Sequence, residues 1–243
     1  MGSTRLWLNS DVGERPEALR DGSEEELIRL LDWANVACGG HAGDESSMEQ
    51  VVRMCVRYRV QIGAHPSFPD REHFGREALH LSASEISQFV FDQVRSLDAI
   101  ARAQGVEVGH VKPHGSLYNQ AAHDAVLARA IAEGVGRWNR RLILVGLAGS
   151  EALRAWQKQG FSVAAEVFAD RRYEPDGSLR ARSHSDALIT NPQEAAAQAR
   201  SASEGRLRAR DGSELTVDPT TICIHSDTPG ALAIAREVRR ALG

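Results

Sequence analysis

The feature that most limits what this chain can fold into is a repeated step: a short apolar segment, a polar or glycine-rich junction, then usually an amphipathic helix. Apolar segments at 5–8, 34–37, 61–64, 108–111, 142–147, 163–167, 187–190 and 221–224 read as strands. Strands so short and so evenly apolar are covered on both faces, which marks parallel strands wrapped by helices. Helix starts are legible between them. Ser23 with Glu26 and Ser82 with Glu85 have capping-box spacing, Asp44 and Asn191-Pro192 suit N-caps, and Thr228-Pro229 would cap the last helix. After Ser82, the residues Ile86, Phe89, Val90, Val94, Leu97, Ile100 and Ala101 share one face, and Gly105 ends the helix. After Asp44, Met48, Val51, Val52, Cys55 and Val56 turn inward. Asp211-Gly212 centres a β-hairpin over 206–217.

Two architectures use this alternation. No glycine-rich dinucleotide fingerprint follows the first strand and no GxxxxGK[ST] occurs, so an open nucleotide-binding sheet loses its main support. A (β/α) barrel is the expectation, and 243 residues suit one such domain over 1–243. The chemistry-bearing residues support the same choice. Asp11, His41, His65, Lys112 with His114, Glu166 and His225 lie just beyond the C-terminal ends of expected strands, and in a barrel those ends form one ring.

The richest sector is His110-Val-Lys-Pro-His-Gly-Ser-Leu-Tyr-Asn119, where Pro113 and Gly115 break regular structure and should leave Lys112, His114, Tyr118 and Asn119 on a loop. The chain has 29 Lys and Arg, of which only Lys112 and Lys158 are lysine, so a lysine here suggests a compact titratable amine. Asp11, His65 and His114 make a sound ligand set for a divalent metal that activates water. Without metal the same residues form an acid–base set, with Lys112 stabilising an oxyanion or phosphate. The sequence leaves both open.

Other classes fall away. A net charge of −4 and the absence of basic runs interleaved with aromatics argue against nucleic acid. The apolar patch Leu6-Trp7-Leu8 is too short for a signal peptide or membrane span. Cys38, Cys55 and Cys223 have no metal-ligand spacing, which suits buried, inert thiols in a cytoplasmic protein.

Leu8-Asn-Ser-Asp-Val-Gly-Glu14, Ala34-Asn-Val-Ala-Cys-Gly39, His41-Ala-Gly-Asp44, the stretch 62–71, His110 to Asn119 and Glu166-Val-Phe-Ala-Asp-Arg171 together resemble the LamB/YcsF family, over nearly the whole chain. The resemblance implies an irregular seven-stranded, TIM-like (β/α) barrel related to glycoside hydrolase and deacetylase barrels. It implies an ATP-dependent 5-oxoprolinase reaction, 5-oxo-L-proline to L-glutamate, shared with subunits B and C. On that reading Lys112, Arg71 and Arg171 face phosphate. Asp11, His65 and His114 supply the base and any metal, and His41 or Glu166 the acid for the departing nitrogen. Asn35, Tyr118, Asn119, Asp170 and His225 bind and orient. Three positions depart from the family pattern: Gly40 where an aromatic is usual, Arg172 where glycine is usual, and Ser226 within a usual His-Gly-Asp. Two alternatives remain, a metal-dependent deacetylase or amidohydrolase that needs no ATP, and a non-catalytic subunit that carries the lactam. With no P-loop, either the barrel mouth binds ATP by another arrangement or a partner contributes the phosphate contacts.

Overall fold

The computed structural model describes residues 6–243. Seven parallel strands close into a barrel: β1 (Trp7–Val12), β2 (Trp33–Ala37), β3 (Gln61–His65), β4 (His110–Val111), β5 (Ile143–Leu147), β6 (Val163–Phe168) and, after an excursion, the last strand (Thr221–His225). That strand, β9, pairs with both β6 and β1 and so closes the ring. The excursion holds a two-stranded antiparallel hairpin, β7 (Arg206–Arg208) and β8 (Glu214–Thr216), at the expected position.

The helices are α1 (Pro16–Asp21), α2 (Ser23–Ile28), α3 (Glu45–Tyr58), α4 (Ala83–Ala103), α5 (Gly115–Ala121), α6 (Ala125–Trp138), α7 (Glu151–Lys158), α8 (Pro192–Ser203) and α9 (Ala231–Leu242). Their stops and starts follow local chemistry. Ser82 and Glu85 form a reciprocal capping box on α4, Asp44 and Ser47 form one on α3, and Asn191 caps α8 with Pro192 in its first turn. The face of α4 buries Ile86, Val90, Val94, Leu97 and Ala101, as its 3.6-residue spacing requires.

Several local expectations give way. The expected first strand begins at Arg5, outside the described residues, and the strand itself runs on to Val12, so Asn9, Ser10 and Asp11 belong to β1. Ser23 is no cap: Gly22 holds that position with φ 84°, and Ser23 is already helical. Thr228-Pro229 does not cap α9, because Gly230 does, while the Thr228 hydroxyl donates to Asp170 (2.6 Å). Residues 187–190 form a single bridge, Leu188 to Arg171, and no strand. Val56 is 41% exposed. Tyr118 and Asn119 ride on the short α5 and not on a loop.

Candidate active site

Along a strand, alternate side chains point the same way. Inward positions therefore come in pairs: Asn9 and Asp11 on β1, Gly63 and His65 on β3, Glu166 and Phe168 on β6, Cys223 and His225 on β9. The β4 pair is His110 and, just past the strand end, Lys112. Where many barrels are filled with branched aliphatics, this one carries a buried hydrogen-bonded network. Asn9 donates to Glu166 Oε1 (2.9 Å) and Thr221 Oγ1 (2.8 Å), and Asn35 donates to Asn9 Oδ1 and Asp11 Oδ1 (both 2.8 Å). His110 Nε2 donates to Asn35 Oδ1 (2.8 Å), and its ring stacks on Trp33. Burial pushes His110 down to about 3, so it is a neutral part of the floor. Gly63 is glycine for this reason, since a Cβ there would overlap the His110 ring.

Above that floor Lys112 is buried, with Nζ 2.9 Å from Asp11 Oδ1, 3.1 Å from Glu166 Oε1 and 3.1 Å from Cys223 Sγ. Burial opposes its charge, but Asp11, the Cys223 sulfur and Glu166 raise its pKa well above the ordinary value. Lys112 is thus a cation whose three protons already face protein acceptors, a different role from a free phosphate contact. Burial would likewise raise Asp11, yet its contacts with His65 and Lys112 hold its carboxyl well below the usual range. Glu166 also accepts from the Tyr118 hydroxyl (2.8 Å).

Beside Asp11 three imidazoles and a second carboxylate converge. His65 Nδ1 donates to the Lys112 carbonyl (2.7 Å), and His114 Nε2 donates to the Phe74 carbonyl (3.0 Å). Carbonyls only accept, so each ring's proton is spent outward. The other two nitrogens, His65 Nε2 and His114 Nδ1, face one another at 3.0 Å. Burial lowers the His114 pKa and favours its neutral form, so a single proton at most lies between the two facing nitrogens and Glu14. Glu14 Oε1 lies 3.3 Å from His114 Nδ1 and 3.7 Å from His65 Nε2, and Asp11 Oδ2 lies 3.3 Å from His65 Nε2. Burial would raise Glu14, but hydrogen bonds with His114 and His41 keep it ionised, well below the usual range.

His41 completes the group. Its Nε2 is 2.9 Å from Glu14 Oε1, its ring stacks on His114 at 3.6 Å, and burial lowers it to about 4. The loop after β3 holds these rings through left-handed backbone at Phe74 (φ 57°) and Gly75 (φ 63°). A bulky residue with positive φ is rare and costly. At Gly75 a Cβ would come within 2.9 Å of His41 Cβ and 3.1 Å of His114 Cδ2.

The donor atoms of Glu14, His41, His65 and His114 all lie within 4.8 Å of one another. Converging carboxylates and ring nitrogens, with His65 and His114 each donating its other N–H to a backbone carbonyl, are the arrangement by which proteins orient metal-binding imidazoles. The residues present therefore fit a divalent cation. Of the expected set, His65 and His114 belong to this group with Glu14 and His41, whereas Asp11 meets it only through His65 (3.3 Å) and gathers instead with Cys223 and His225.

These groups open into a cleft of about 460 Å³, within the ordinary range for small-molecule sites. Asp11, Glu14, His65, Lys112, His114, Tyr118, Asn119, Arg171 and His225 line it; Asn35, His41, Arg71, Glu166 and Asp170 do not. Asn35 lies in the floor and Glu166 beneath Tyr118. Arg71 ties down the His41 loop, donating to the Gly39 (3.0 Å) and Gly43 (2.9 Å) carbonyls. Asp170 accepts from His225 Nδ1 (3.1 Å) and from its backbone N–H (3.0 Å), which fixes the ring with Nε2 turned away. The long polar segment after β6 supplies Ser178, Leu179, Ala181 and Arg182 to the wall.

Sequence reasoning missed Glu14, Asn9 and Cys223. Glu14 stands in the quoted Asp11-Val-Gly-Glu motif, but it falls past the strand end, and only the turn at Gly13 (φ 75°) brings it back over the mouth. Cys223 is buried as expected, yet it contacts Lys112 and so belongs to the site.

Known proteins resemble this chain over nearly its whole length. The LamB/YcsF family profile matches residues 6–243. A protein from Methylococcus capsulatus, named as the A subunit of 5-oxoprolinase, is 49% identical over 97% of this chain and 91% of its own length. One of the same name from Chloroflexus aurantiacus is 48% identical over 97% and 93%. The crystal structure of a lactam utilization protein from Thermus thermophilus superimposes with a TM-score of 0.89 at 40% identity, covering 98% of this chain and 96% of that one.

Proposed function

The chain belongs to the LamB/YcsF family, and from that premise we propose that it acts in the cytoplasm as the A subunit of an ATP-dependent 5-oxoprolinase. With subunits B and C it opens the lactam of 5-oxo-L-proline to L-glutamate. Overall, one water divides across the C–N bond to give carboxylate and ammonium, and another divides the terminal phosphoanhydride of ATP.

The observation that carries this reading is the convergence of the His65 and His114 ring nitrogens with the Glu14 and Asp11 carboxylates at the mouth of the barrel. A lactam resists water because its amide is delocalised, and phosphorylation of its oxygen at the expense of ATP lowers that resistance. What remains is to deprotonate a water that attacks the activated carbon, steady the charge that develops on oxygen and give the departing nitrogen a proton, after which the second water hydrolyses the resulting acyl phosphate to glutamate and phosphate. The Glu14, His65, His114 and Asp11 cluster orients and deprotonates the water. A divalent ion held there by Glu14, His65 and His114 would supply Lewis acidity and a more acidic water. Lys112 keeps Asp11 ionised. His225, held by Asp170 and open to the cleft, is better placed than His41 or Glu166 to protonate the nitrogen, since neither of those lines the cleft. The phosphate contacts come in part from subunits B and C, because the chain has no P-loop.

Glutamate and ADP release by the chain alone and with subunits B and C tests this. Turnover only in the complex, lost in His114→Ala, is the expected result. Full turnover by a His114→Ala complex would leave a lactam carrier as the remaining role. The cluster also favours a second reading, an amidohydrolase that needs no ATP; glutamate formed by the isolated chain without nucleotide would select it.

A further inference from the structure

One wall of the cleft is cationic beyond what the protein itself neutralises. Arg171 follows β6, Arg182 comes from the polar segment beyond it, and Arg76 comes from the loop after β3; all three line the cleft. Arg171 is only 5% exposed. Among the described residues its guanidinium makes one hydrogen bond, Nη2 to the Arg180 carbonyl (2.6 Å), and its Nε is buried without an acceptor. The neighbouring carboxylate, Asp170, is committed to His225 and Thr228. Arg76 and Arg182 share Asp227, at 2.5 Å and 3.3 Å. Two guanidiniums thus share Asp227, and among the described residues Arg171 makes no ion pair within 4 Å. Burial and the charge of Arg182 depress Arg171 to about 10, which still leaves it protonated near neutrality.

Asp170 and Asp227 oppose its charge from nearby, but neither hydrogen-bonds the Arg171 guanidinium, and a buried guanidinium with unspent donors is suited to an anionic ligand. We infer that Arg171 and Arg182, with Arg76 at the rim, form a carboxylate-recognition wall that anchors the carboxylate of the lactam while its ring amide meets the His65 and His114 side. This rests on the 5-oxoprolinase reading and adds what sets its specificity, an acidic lactam over a neutral one. A planar guanidinium fork matches the two oxygens of a carboxylate, and Phe168, Leu179 and Ala181 add apolar surface beside it for a five-membered ring.

The test is steady-state kinetics of the complex with subunits B and C, carrying Arg182→Gln or Arg171→Gln. The expected result is a KM for 5-oxo-L-proline raised by about tenfold or more, with kcat and the KM for ATP little changed. An unchanged KM for the lactam overturns the proposal, and so does a rise in the KM for ATP instead, which would make the wall a phosphate site. If Arg171→Gln does not fold, Arg182→Gln decides, since its side chain is 29% exposed. If the wild-type complex makes no glutamate, the 5-oxoprolinase reading fails, and the wall is tested separately by calorimetric titration of the isolated chain. There, binding of 5-oxo-L-proline that exceeds that of pyrrolidin-2-one, and loses that excess in Arg182→Gln, supports the wall. Equal binding of acid and neutral ring, or no binding of either, overturns it.

Discussion

At the scale of single residues, the site is governed by where each proton is held. Glu14 is the sharpest case: replacing it by Gln removes a charge from the converging ring nitrogens while keeping the shape. Titration of Zn²⁺ or Mn²⁺ into Glu14→Gln should show affinity reduced by about tenfold or more relative to wild type; equal affinity would remove Glu14 from the ligand set. Lys112 acts on stability as well as chemistry. Lys112→Met leaves the buried Asp11 and Glu166 without their shared cation, and urea denaturation should register a loss of about 3–5 kcal/mol. Glu24 gives a pH signature. It is 2% exposed and accepts from the Gly13 N–H, and burial raises its pKa to about 7. Because the folded value lies above the unfolded one, the fold binds the extra proton; the stability this confers is complete below the unfolded pKa of about 4.5 and is lost as pH rises towards 7. Glu24→Gln should therefore be more stable than wild type at pH 8, by roughly 1–3 kcal/mol, with the gap closing near pH 4. A gap independent of pH would show that folding leaves the Glu24 pKa unshifted. Residue roles were only partly legible beforehand: Asp11, His65, Lys112 and His114 stand out as strand-end residues, whereas Glu14 needs a turn, and Cys223 a register, that no spacing displays.

At the scale of elements, the best-read pieces are those whose signal is local. The capping boxes of α3 and α4, the Asn191-Pro192 start of α8 and the Asp211-Gly212 hairpin depend on neighbours a few residues apart. Ser82→Ala removes one of the α4 bonds and should cost about 1 kcal/mol in thermal or chemical denaturation, without effect on ligand binding. The failures share a cause. Ser23 and Thr228 carry capping chemistry, but glycines at 22 and 230 with left-handed φ take those ends, and Thr228 instead serves Asp170. Tertiary demand overrode local preference there. The loop after β3 is similar, since nothing in its composition announces that Phe74 adopts positive φ to aim its carbonyl at His114.

At the scale of the whole molecule, the alternation of strand and helix was enough to argue a barrel, and the barrel explains how residues from Asp11 to His225 share one mouth. The resemblance supplied the count of seven strands. The hairpin between β6 and β9 was legible, but a strand was expected at 187–190 where there is only a bridge, and the use of this region as a cleft wall depends on Arg171 and Arg182 being packed toward the opening, which only the folded chain reveals. One claim underlies the rest: this mouth carries out the hydrolytic chemistry within the complex. Glutamate formation from 5-oxo-L-proline and ATP, compared between complexes assembled with wild-type chain and with Glu14→Gln, tests it most directly. The expected result is glutamate from the first and a rate lower by about a hundredfold or more from the second, with assembly and folding intact; glutamate at the wild-type rate from the Glu14→Gln complex would contradict it.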